Sequence, residues 1–303
     1  MGLAYCILAH KNPAQIVRLL KAIAHPDNFY VLHYEKRAPR AEHDALARLA
    51  KEIPNFHLLP SRPIIWGHFS VVGAQLEGME LALQSGCKWS HFITLSGQDF
   101  PLQPQAEMIR ELEAASASSF VSFFDPFAES VWNNVEDRVS RVYIESMLLE
   151  VLLKVPFLGR RLRGICGWTN RMPSVPWVRR ARPDWFRYMG GSNHVILSHE
   201  AAAYISSDPA ARRIIRWLRH SGIPDESLFQ SVLLNSPLAA SVVNDDRRAI
   251  FWERVGAPSP ETLTLAHLSW LREAREKGKL FARKFDVGVD NAMLSEMEKE
   301  IGL

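Results

Sequence analysis

The chain has 303 residues, of which 47% are hydrophobic and 23% charged, as in ordinary soluble globular proteins. That length allows one large or two small domains with a sizeable core. No apolar run reaches the roughly 18–20 residues that a membrane-spanning helix needs, and the first residues resemble a strand rather than a signal peptide. The cysteines, Cys6, Cys87 and Cys166, are odd in number and widely spaced. They fit neither a disulfide framework nor a metal site, so we expect a reducing cytoplasm.

The net charge of +3 is unevenly distributed. A basic stretch at residues 160–187 has a single acid, Asp184, and interleaves arginines with aromatic residues. Its members are Arg160, Arg161, Arg163, Arg171, Arg179, Arg180, Arg182 and Arg187, with Trp168, Trp177, Trp185 and Phe186. One interpretation is a solvated loop with tryptophans packed on the core. The other is a patch for an anionic acceptor or an acidic membrane surface. No nucleic-acid motif accompanies the patch, which disfavours nucleic acid.

The first hundred residues alternate strand and helix patterns, which predicts a parallel sheet. Strands are expected at 4–9, 29–34 and 56–59, and a helix at 41–52. Before the first helix, Asn12 is suited to the N-cap, Pro13 to the first turn and Gln15 to a capping box.

Residues 66–102 form the stretch around which the other patterns are arranged. Apolar residues recur at helical steps of three and four, at Phe69, Val72, Leu76, Met79 and Leu83. Gly86 is suited to the end of this helix, and a buried strand at 91–95 follows. A polar turn, Ser96 to Asp99, comes next. Open α/β sheets bind ligands at such turns, so we expect a site here.

The second half is less regular. Its pattern predicts helices at 104–117 and 143–155, strands at 120–124 and 195–197, and further helices to about residue 220. We see no repeat or flexible linker. We therefore expect one domain over 1–303, with a nucleotide-binding half at 1–125 and an acceptor-binding half at 126–303.

Several polar residues are candidates for chemistry. Asp225 and Glu226 precede an apolar helix, where either could be a simple cap or a general base. Arg248 lies in a charged cluster before an apolar strand, and Lys284 lies in the stretch 279–286, where bulky apolar residues flank the cations. An arginine and a lysine together can hold a diphosphate. The sequence has no Asp-x-Asp metal pair, and the turn at His10 lacks a dinucleotide-binding glycine fingerprint.

Four separated blocks together resemble the core-2/I-branching glycosyltransferases and their relatives, the peptide O-xylosyltransferases. The first comprises W-G-x-x-S-x-V from Trp66 and L-S-G-x-D-F-P-L from Leu95. The second is Gly191-Ser192 before a strand, and the third is Pro224-Asp225-Glu226. The fourth pairs R-x-I-x-W from Arg248 with F-A-R-K-F-D from Phe281. The blocks extend over nearly the whole chain.

This resemblance implies a GT-A-like α/β fold with a mostly parallel central sheet flanked by helices, and an inverting, metal-independent transferase. It implies that Glu226 is the base and that Arg248 and Lys284 clamp the diphosphate. His10, Glu35 and Trp66 match nucleoside-contacting positions, although Glu35 replaces a common Asp and Trp66 replaces a Tyr found in some members, which weakens the case for uracil. Asp99, Ser192 and Asp225 are assigned to substrate contact or to bracing the site.

The expected reaction moves GlcNAc or xylose from a UDP-sugar to a glycan, a lipid-linked glycan or another hydroxyl acceptor, with no metal or other cofactor. The absent anchor and disulfides point to a bacterial-type, cytoplasmic member, with peripheral contact at the anionic inner face of the membrane left open. The alternative is a non-catalytic protein that binds nucleotide sugars, or anionic surfaces through residues 160–187.

Overall fold

The computed structural model describes residues 1–129, 131–132, 134–165, 168–169, 172–254 and 259–303. Its strands are β1 (Gly2–Ala9), β2 (Phe29–Tyr34), β3 (Phe56–Leu58), β4 (Trp89–Ser96), β5 (Phe100–Pro101), β6 (Ser119–Phe124), β7 (Arg141–Tyr143), β8 (Trp168–Thr169), β9 (Met172–Arg179), β10 (Gly190–Ser198), β11 (Val242–Val243), β12 (Arg248–Ile250) and β13 (Phe281–Arg283).

The α-helices are α1 (Pro13–Ala22), α2 (Arg40–Glu52), α3 (Ser70–Gln84), α4 (Gln105–Ala114), α5 (Val135–Ser140), α6 (Met147–Lys154), α7 (Pro156–Ile165), α8 (His199–Ser207), α9 (Pro209–Leu218), α10 (Leu228–Leu234), α11 (Leu268–Glu276) and α12 (Asn291–Glu300). Short 3-10 turns occur at Pro224–Glu226, Ala239–Ser241 and Leu265–His267.

The main sheet has the strand order β11-β6-β10-β4-β1-β2-β3 within the described ranges. Strands β3, β2, β1 and β4 run parallel, as do β6 and β11, whereas β10 is antiparallel to both β4 and β6. Helices pack on both faces in two apolar clusters. The predicted fold class, a mostly parallel α/β sheet flanked by helices, is confirmed. Because β10 lies between β4 and β6, both predicted halves of the chain contribute to one sheet.

Helix α3 connects the outer and inner parts of this sheet. Val72 and Met79 on its apolar face are fully buried against the strands. The helix ends just before Gly86, which has a φ of +75°, as predicted for a glycine at a helix end. The predicted strand after it extends over Trp89–Ser96, so the polar turn at Ser96–Asp99 lies at the carboxyl edge of the sheet.

A small second sheet, ordered β12-β13-β5, brings the C-terminal segment to that same edge. Strand β13 pairs antiparallel with β5, with Ala282 opposite Phe100. The amide of Phe285 also donates to the carbonyl of Gln98 at 2.8 Å. The residues that follow β13 therefore lie directly beside the Ser96–Asp99 turn, although they are far from it in sequence.

Two local predictions were wrong. The apolar segment predicted as one helix at 143–155 divides into a strand and a helix, because Tyr143 pairs with Ser174 of β9. Helix α6 begins only at Met147, where the Ser146 hydroxyl accepts from the Leu149 amide. No capping box forms at α1, because Asn12 is left-handed and its side chain donates to Asp286 at 3.2 Å. Cys166 and Arg171 lie outside the described residues.

No helix in the described ranges is both long and apolar enough to cross a membrane.

Candidate active site

The candidate site lies where the carboxyl ends of β1, β2 and β4 meet the amino end of β10. Antiparallel pairing sets Ile196 of β10 against Ile93 of β4, so the residues before Ile196 extend past the end of β4. His10 follows β1 and Glu35 follows β2 at the same edge. Parallel sheets expose the turns after their strands at this edge, which explains why separate sequence blocks meet here.

Asp99 braces the turn after β4. Its carboxylate accepts from the Ser96 amide at 2.7 Å and from the Ser96 hydroxyl at 3.0 Å. The Arg283 Nε lies 3.3 Å from Asp99 Oδ1. Arg283 also donates to His194 Nε2, and burial followed by the Arg283 charge lowers the pKa of His194 well below its usual value. Asp99 is fully buried, and these contacts match the predicted bracing role.

Three cations meet beside this turn. Burial lowers the pKa of the half-buried Lys284, and the neighbouring charges of Arg283 and Lys11 lower it further. Lys284 Nζ donates to the Ser259 hydroxyl at 2.7 Å, whereas Lys11 pairs with Asp286 at 2.5 Å. Arg283 and Lys11 are paired with Asp99 and Asp286, whereas Lys284 donates to a hydroxyl, so a bound anion would compensate chiefly the charge of Lys284. We define this group, Lys11, Arg283 and Lys284, as the cation cluster.

Arg248 lies beneath the cation cluster rather than in it. The residue is only 4% exposed, and its guanidinium donates to the carbonyls of Thr94 at 2.9 Å and Asp246 at 3.2 Å. Burial lowers its pKa, and the charges of Asp99 and Asp246 oppose this effect. These contacts favour a positioning role, in which Arg248 holds β12 against the end of β4, over the predicted direct contact with a diphosphate.

Glu226 lies in the 3-10 turn Pro224–Glu226 with its side chain about one-third exposed. Its Oε2 accepts from Arg138 Nη1 at 2.7 Å. The Arg138 guanidinium also lies 3.9 Å from the centre of the Trp132 ring. Glu226 is therefore held by an oriented cation and remains accessible to solvent, as a carboxylate base must be.

Asp225 does not cap α10, because that helix begins after Ser227 without a side-chain cap. Its Oδ2 accepts from Asn193 of β10 at 3.4 Å, and its buried Oδ1 has no hydrogen-bond partner among the described residues. Burial, then the charge of Glu226, raises the pKa of Asp225 to about 7. Ser192 lies one residue away from Asn193, and its hydroxyl accepts from the His194 amide at 3.2 Å. Segment 192–194 thus connects Asp225 with the Asp99 turn.

The raised pKa of Asp225 predicts a pH-dependent effect on stability. The folded protein keeps a proton that the unfolded chain releases between about pH 4 and pH 7, so unfolding becomes easier as the pH rises through that window. Asp225→Asn removes this contribution. We expect its melting temperature, relative to wild type, to increase across the window and then level off. The underlying slope is about 1.4 kcal/mol per pH unit at its steepest.

Calorimetry of wild type and Asp225→Asn at several pH values measures this difference. A melting-temperature difference that stays constant across the whole range would contradict the assignment.

The predicted nucleoside positions occupy the same edge of the sheet. Burial and the charges of Lys11 and Lys284 lower the pKa of His10, whereas Glu35 opposes them, so these groups are electrostatically coupled. Trp66 is 64% exposed at the start of the turn into α3 and presents a free aromatic surface. Glu35 is less available, as its carboxylate accepts from Arg37 Nε at 2.8 Å and from the Ile64 amide at 2.9 Å.

The basic stretch 160–187 divides between the two interpretations of its sequence. Arg180 is structural, donating to the carbonyls of Trp217 at 2.6 Å and Val139 at 3.1 Å. The Arg213 guanidinium packs 4.0 Å from the ring of Trp185. Arg160 and Arg161, by contrast, are exposed on α7.

Comparison with known proteins identifies the family. The model of a family described as Core-2/I-Branching enzyme matches residues 3–272. The chain belongs to the Core-2/I-branching enzyme family. The beta-1,3-galactosyl-O-glycosyl-glycoprotein beta-1,6-N-acetylglucosaminyltransferase 4 of Danio rerio is 24% identical, over 99% of this chain and 69% of its own length. Xylosyltransferase oxt of Drosophila melanogaster is 24% identical, over 94% of this chain and 32% of its own length.

Membership of the Core-2/I-branching family, together with these relatives, identifies the chain as an enzyme of the glycosyltransferase class. A crystal structure of mouse xyloside xylosyltransferase 1 aligns with a TM-score of 0.39 and 11% identity, covering 93% of this chain and 97% of that one.

The sequence analysis did not single out Lys11 and four other residues of this Core-2/I-branching site. Arg138, which orients Glu226, lies in a segment without a motif. Asn193 and His194 directly follow Ser192, which the sequence did single out. Their partners, Asp225 and Arg283, are distant in sequence and come close only because β10 runs antiparallel beside β4. Arg283 was visible in F-A-R-K-F-D, and its position beside Lys284 was the available signal.

Proposed function

We propose that this chain is an inverting, metal-independent glycosyltransferase that moves GlcNAc or xylose from a UDP-sugar to a hydroxyl acceptor. Family membership supports the class of reaction, and the reaction details rest on the site. The observation that carries the proposal is the arrangement of a solvent-accessible, arginine-held Glu226 and a cation cluster around one sheet edge, linked by residues 192–194 of β10. A GT-A-like nucleotide-sugar fold is part of the proposal.

The proposed reaction is a single displacement. Glu226 accepts the proton of the acceptor hydroxyl while the acceptor oxygen attacks C1 of the α-linked donor sugar. The bond between C1 and the diphosphate oxygen breaks, and its electron pair leaves with UDP. Attack from the opposite face inverts C1 and forms a β linkage.

The leaving diphosphate is the group that the cation cluster is suited to stabilise. Lys284 and Lys11 supply point charges, and Arg283 adds a planar guanidinium. Preorganised cations lower the barrier where negative charge develops. Among the described residues, no group of three or more His, Cys, Asp or Glu side chains could hold a metal ion. We propose metal independence from the three cations, which can take the place of a metal under the diphosphate.

The nucleoside is proposed to lie against Trp66 and His10. The exposed Trp66 ring can stack on a base, and His10, which follows β1 at the same sheet edge, is electrostatically coupled to Lys11 and Lys284. The Glu35 carboxylate already accepts hydrogen bonds from Arg37 and from the Ile64 amide, and we propose that it shapes this part of the site through them.

The deciding experiment is binding and turnover by the purified protein in excess EDTA, comparing UDP, UDP-GlcNAc, UDP-xylose and UDP-glucose. We expect UDP to bind without metal and either UDP-GlcNAc or UDP-xylose to be hydrolysed or transferred fastest. Activity only after manganese is added would overturn metal independence. Absence of binding to all four would overturn the proposed donor class.

A further inference from the structure

Helices α6 and α7 form a hairpin that exposes apolar side chains. Phe157 is 74% exposed and Leu148 is 70% exposed. Val151 of α6, Val155 between the two helices and Leu158 of α7 are also exposed. Isolated exposed apolar residues are normal, but a set confined to one hairpin marks an interaction surface. We call Leu148, Val151, Val155, Phe157 and Leu158, together with Arg160 and Arg161, the hairpin surface.

The hairpin is a well-defined structural unit. A Cβ at Gly159 would lie 2.2 Å from the Leu153 carbonyl oxygen, so only glycine permits this approach of α7 to α6. Arg163 Nη2 also donates to the Leu153 carbonyl at 2.9 Å, and the Leu153 side chain is buried. Gly159 and Arg163 of α7 therefore both meet the Leu153 carbonyl near the end of α6, and these contacts fix the junction of the two helices.

Cations border the apolar side chains. Arg160 and Arg161 are exposed, and neither has an ion pair with a described carboxylate. The Arg161 guanidinium lies 5.6 Å from the centre of the Phe157 ring, so a cation and a large apolar group share one face of α7. This combination of apolar and arginine residues is typical of helices that lie at a lipid–water interface.

We propose that the hairpin surface docks on a bilayer that carries anionic phospholipids. Phe157 and Leu158 enter the boundary between head groups and acyl chains, while Arg160 and Arg161 bind lipid phosphates. Phe157 and Arg161 are four residues apart, so their side chains lie on one face of α7.

Other occupants fit this surface less well. A second copy of the chain would bring its own Arg160 and Arg161 towards these arginines, and like charges repel. A nucleic acid would engage the arginines but offer little to Leu148, Val151 and Phe157. An anionic bilayer offers phosphates to the arginines and acyl chains to the apolar side chains. The inference does not depend on the transfer reaction, since it rests on residues outside the candidate active site.

The test is co-sedimentation of the full chain with vesicles of phosphatidylcholine alone, or of equal parts phosphatidylcholine and phosphatidylglycerol. We expect binding only to the vesicles with phosphatidylglycerol, and weaker binding as sodium chloride rises from about 0.05 M to about 0.5 M. Arg160→Glu/Arg161→Glu should weaken partitioning at least about tenfold. Phe157→Ala/Leu158→Ala should weaken it at both salt concentrations.

A matched control reverses Arg40 and Arg48, two exposed arginines of α2, with Arg40→Glu/Arg48→Glu. The control variant has the same net charge as the Arg160/Arg161 variant. It should therefore retain most of the vesicle binding if the position of the arginines, rather than net charge, determines that binding. The melting temperature of each variant reports an intact fold and keeps this test separate from that of the transfer reaction.

Three results would overturn the proposal. One is failure of the wild type to bind either vesicle. Another is equal loss of binding in the α2 control, which would indicate a general charge effect. The third is a concentration-dependent dimer that Phe157→Ala/Leu158→Ala dissociates, which would assign the surface to a second copy.

Discussion

Glu226→Gln should abolish sugar transfer while leaving UDP binding unchanged. The amide keeps the size of the side chain but cannot accept the acceptor proton, and loss of a general base typically costs about 10²–10⁴ in rate. UDP binding should persist because the cation cluster and Trp66 remain intact. The measurements are turnover of the preferred UDP-sugar and calorimetric titration with UDP.

Glu298→Gln is a matched control for this substitution. Glu298 pairs with Arg18 at 2.6 Å, much as Glu226 pairs with Arg138 at 2.7 Å, and both glutamates are partly exposed. Each variant breaks one carboxylate–arginine pair, but only the pair of Glu226 and Arg138 lies at the candidate site. If both lost activity equally, the effect would come from stability. Loss of UDP binding in Glu226→Gln would show that this residue is structural.

Local sequence patterns predicted the first half of the fold closely, because its strands and helices are specified by their own periodicity. The strand Phe29–Tyr34 and the helix end at Gly86 are examples. The segment 143–155 shows where such patterns fail. It is apolar enough for a helix, yet Tyr143 gains more by pairing with Ser174 of β9, a partner 31 residues away that local reasoning cannot supply.

Distant partners also explain why the α1 start was mispredicted. Asn12 would make a favourable cap by propensity alone, but Asp286 accepts from its side chain at 3.2 Å. Gln15, expected to close the capping box, instead donates to the Gly97 and Phe285 carbonyls at 2.9 and 3.0 Å. Residues near a site serve tertiary contacts first, so their local propensities mislead.

The sequence supplied candidate residue types for the site but not their geometry. It pointed to Glu226, Arg248 and Lys284, but it could not show that Arg248 is buried or that Arg283 lies beside Asp99. Burial of an arginine depends on which carbonyls it meets, here those of Thr94 and Asp246. Those carbonyls belong to a main-sheet strand and to the loop before β12, which only the assembled fold brings together.

Lys284→Ala should weaken UDP binding and lower turnover by about 10²–10³, the usual cost of removing one preorganised charge-stabilising group. Burial and then the neighbouring charges of Arg283 and Lys11 lower the pKa of its ammonium, and a bound diphosphate would offset the part due to those charges. We therefore expect the affinity for UDP to fall more than the affinity for uridine, which has no phosphate. Calorimetric titration with both ligands measures the difference.

Lys279→Ala is the matched control, since Lys279 lies two residues before β13 and pairs with Asp245 at 2.6 Å, away from the cation cluster. It should change neither UDP affinity nor turnover by more than severalfold. Equal losses for UDP and uridine in Lys284→Ala would mean that the residue shapes the pocket and does not bind the diphosphate. If Lys284→Ala bound UDP normally, the anion would have to lie elsewhere, and Arg283 and Lys11 would lose their proposed role with it. Because Lys284 is coupled electrostatically to Arg283 and Lys11, and His10 is coupled to Lys284, its substitution tests the arrangement at a single residue.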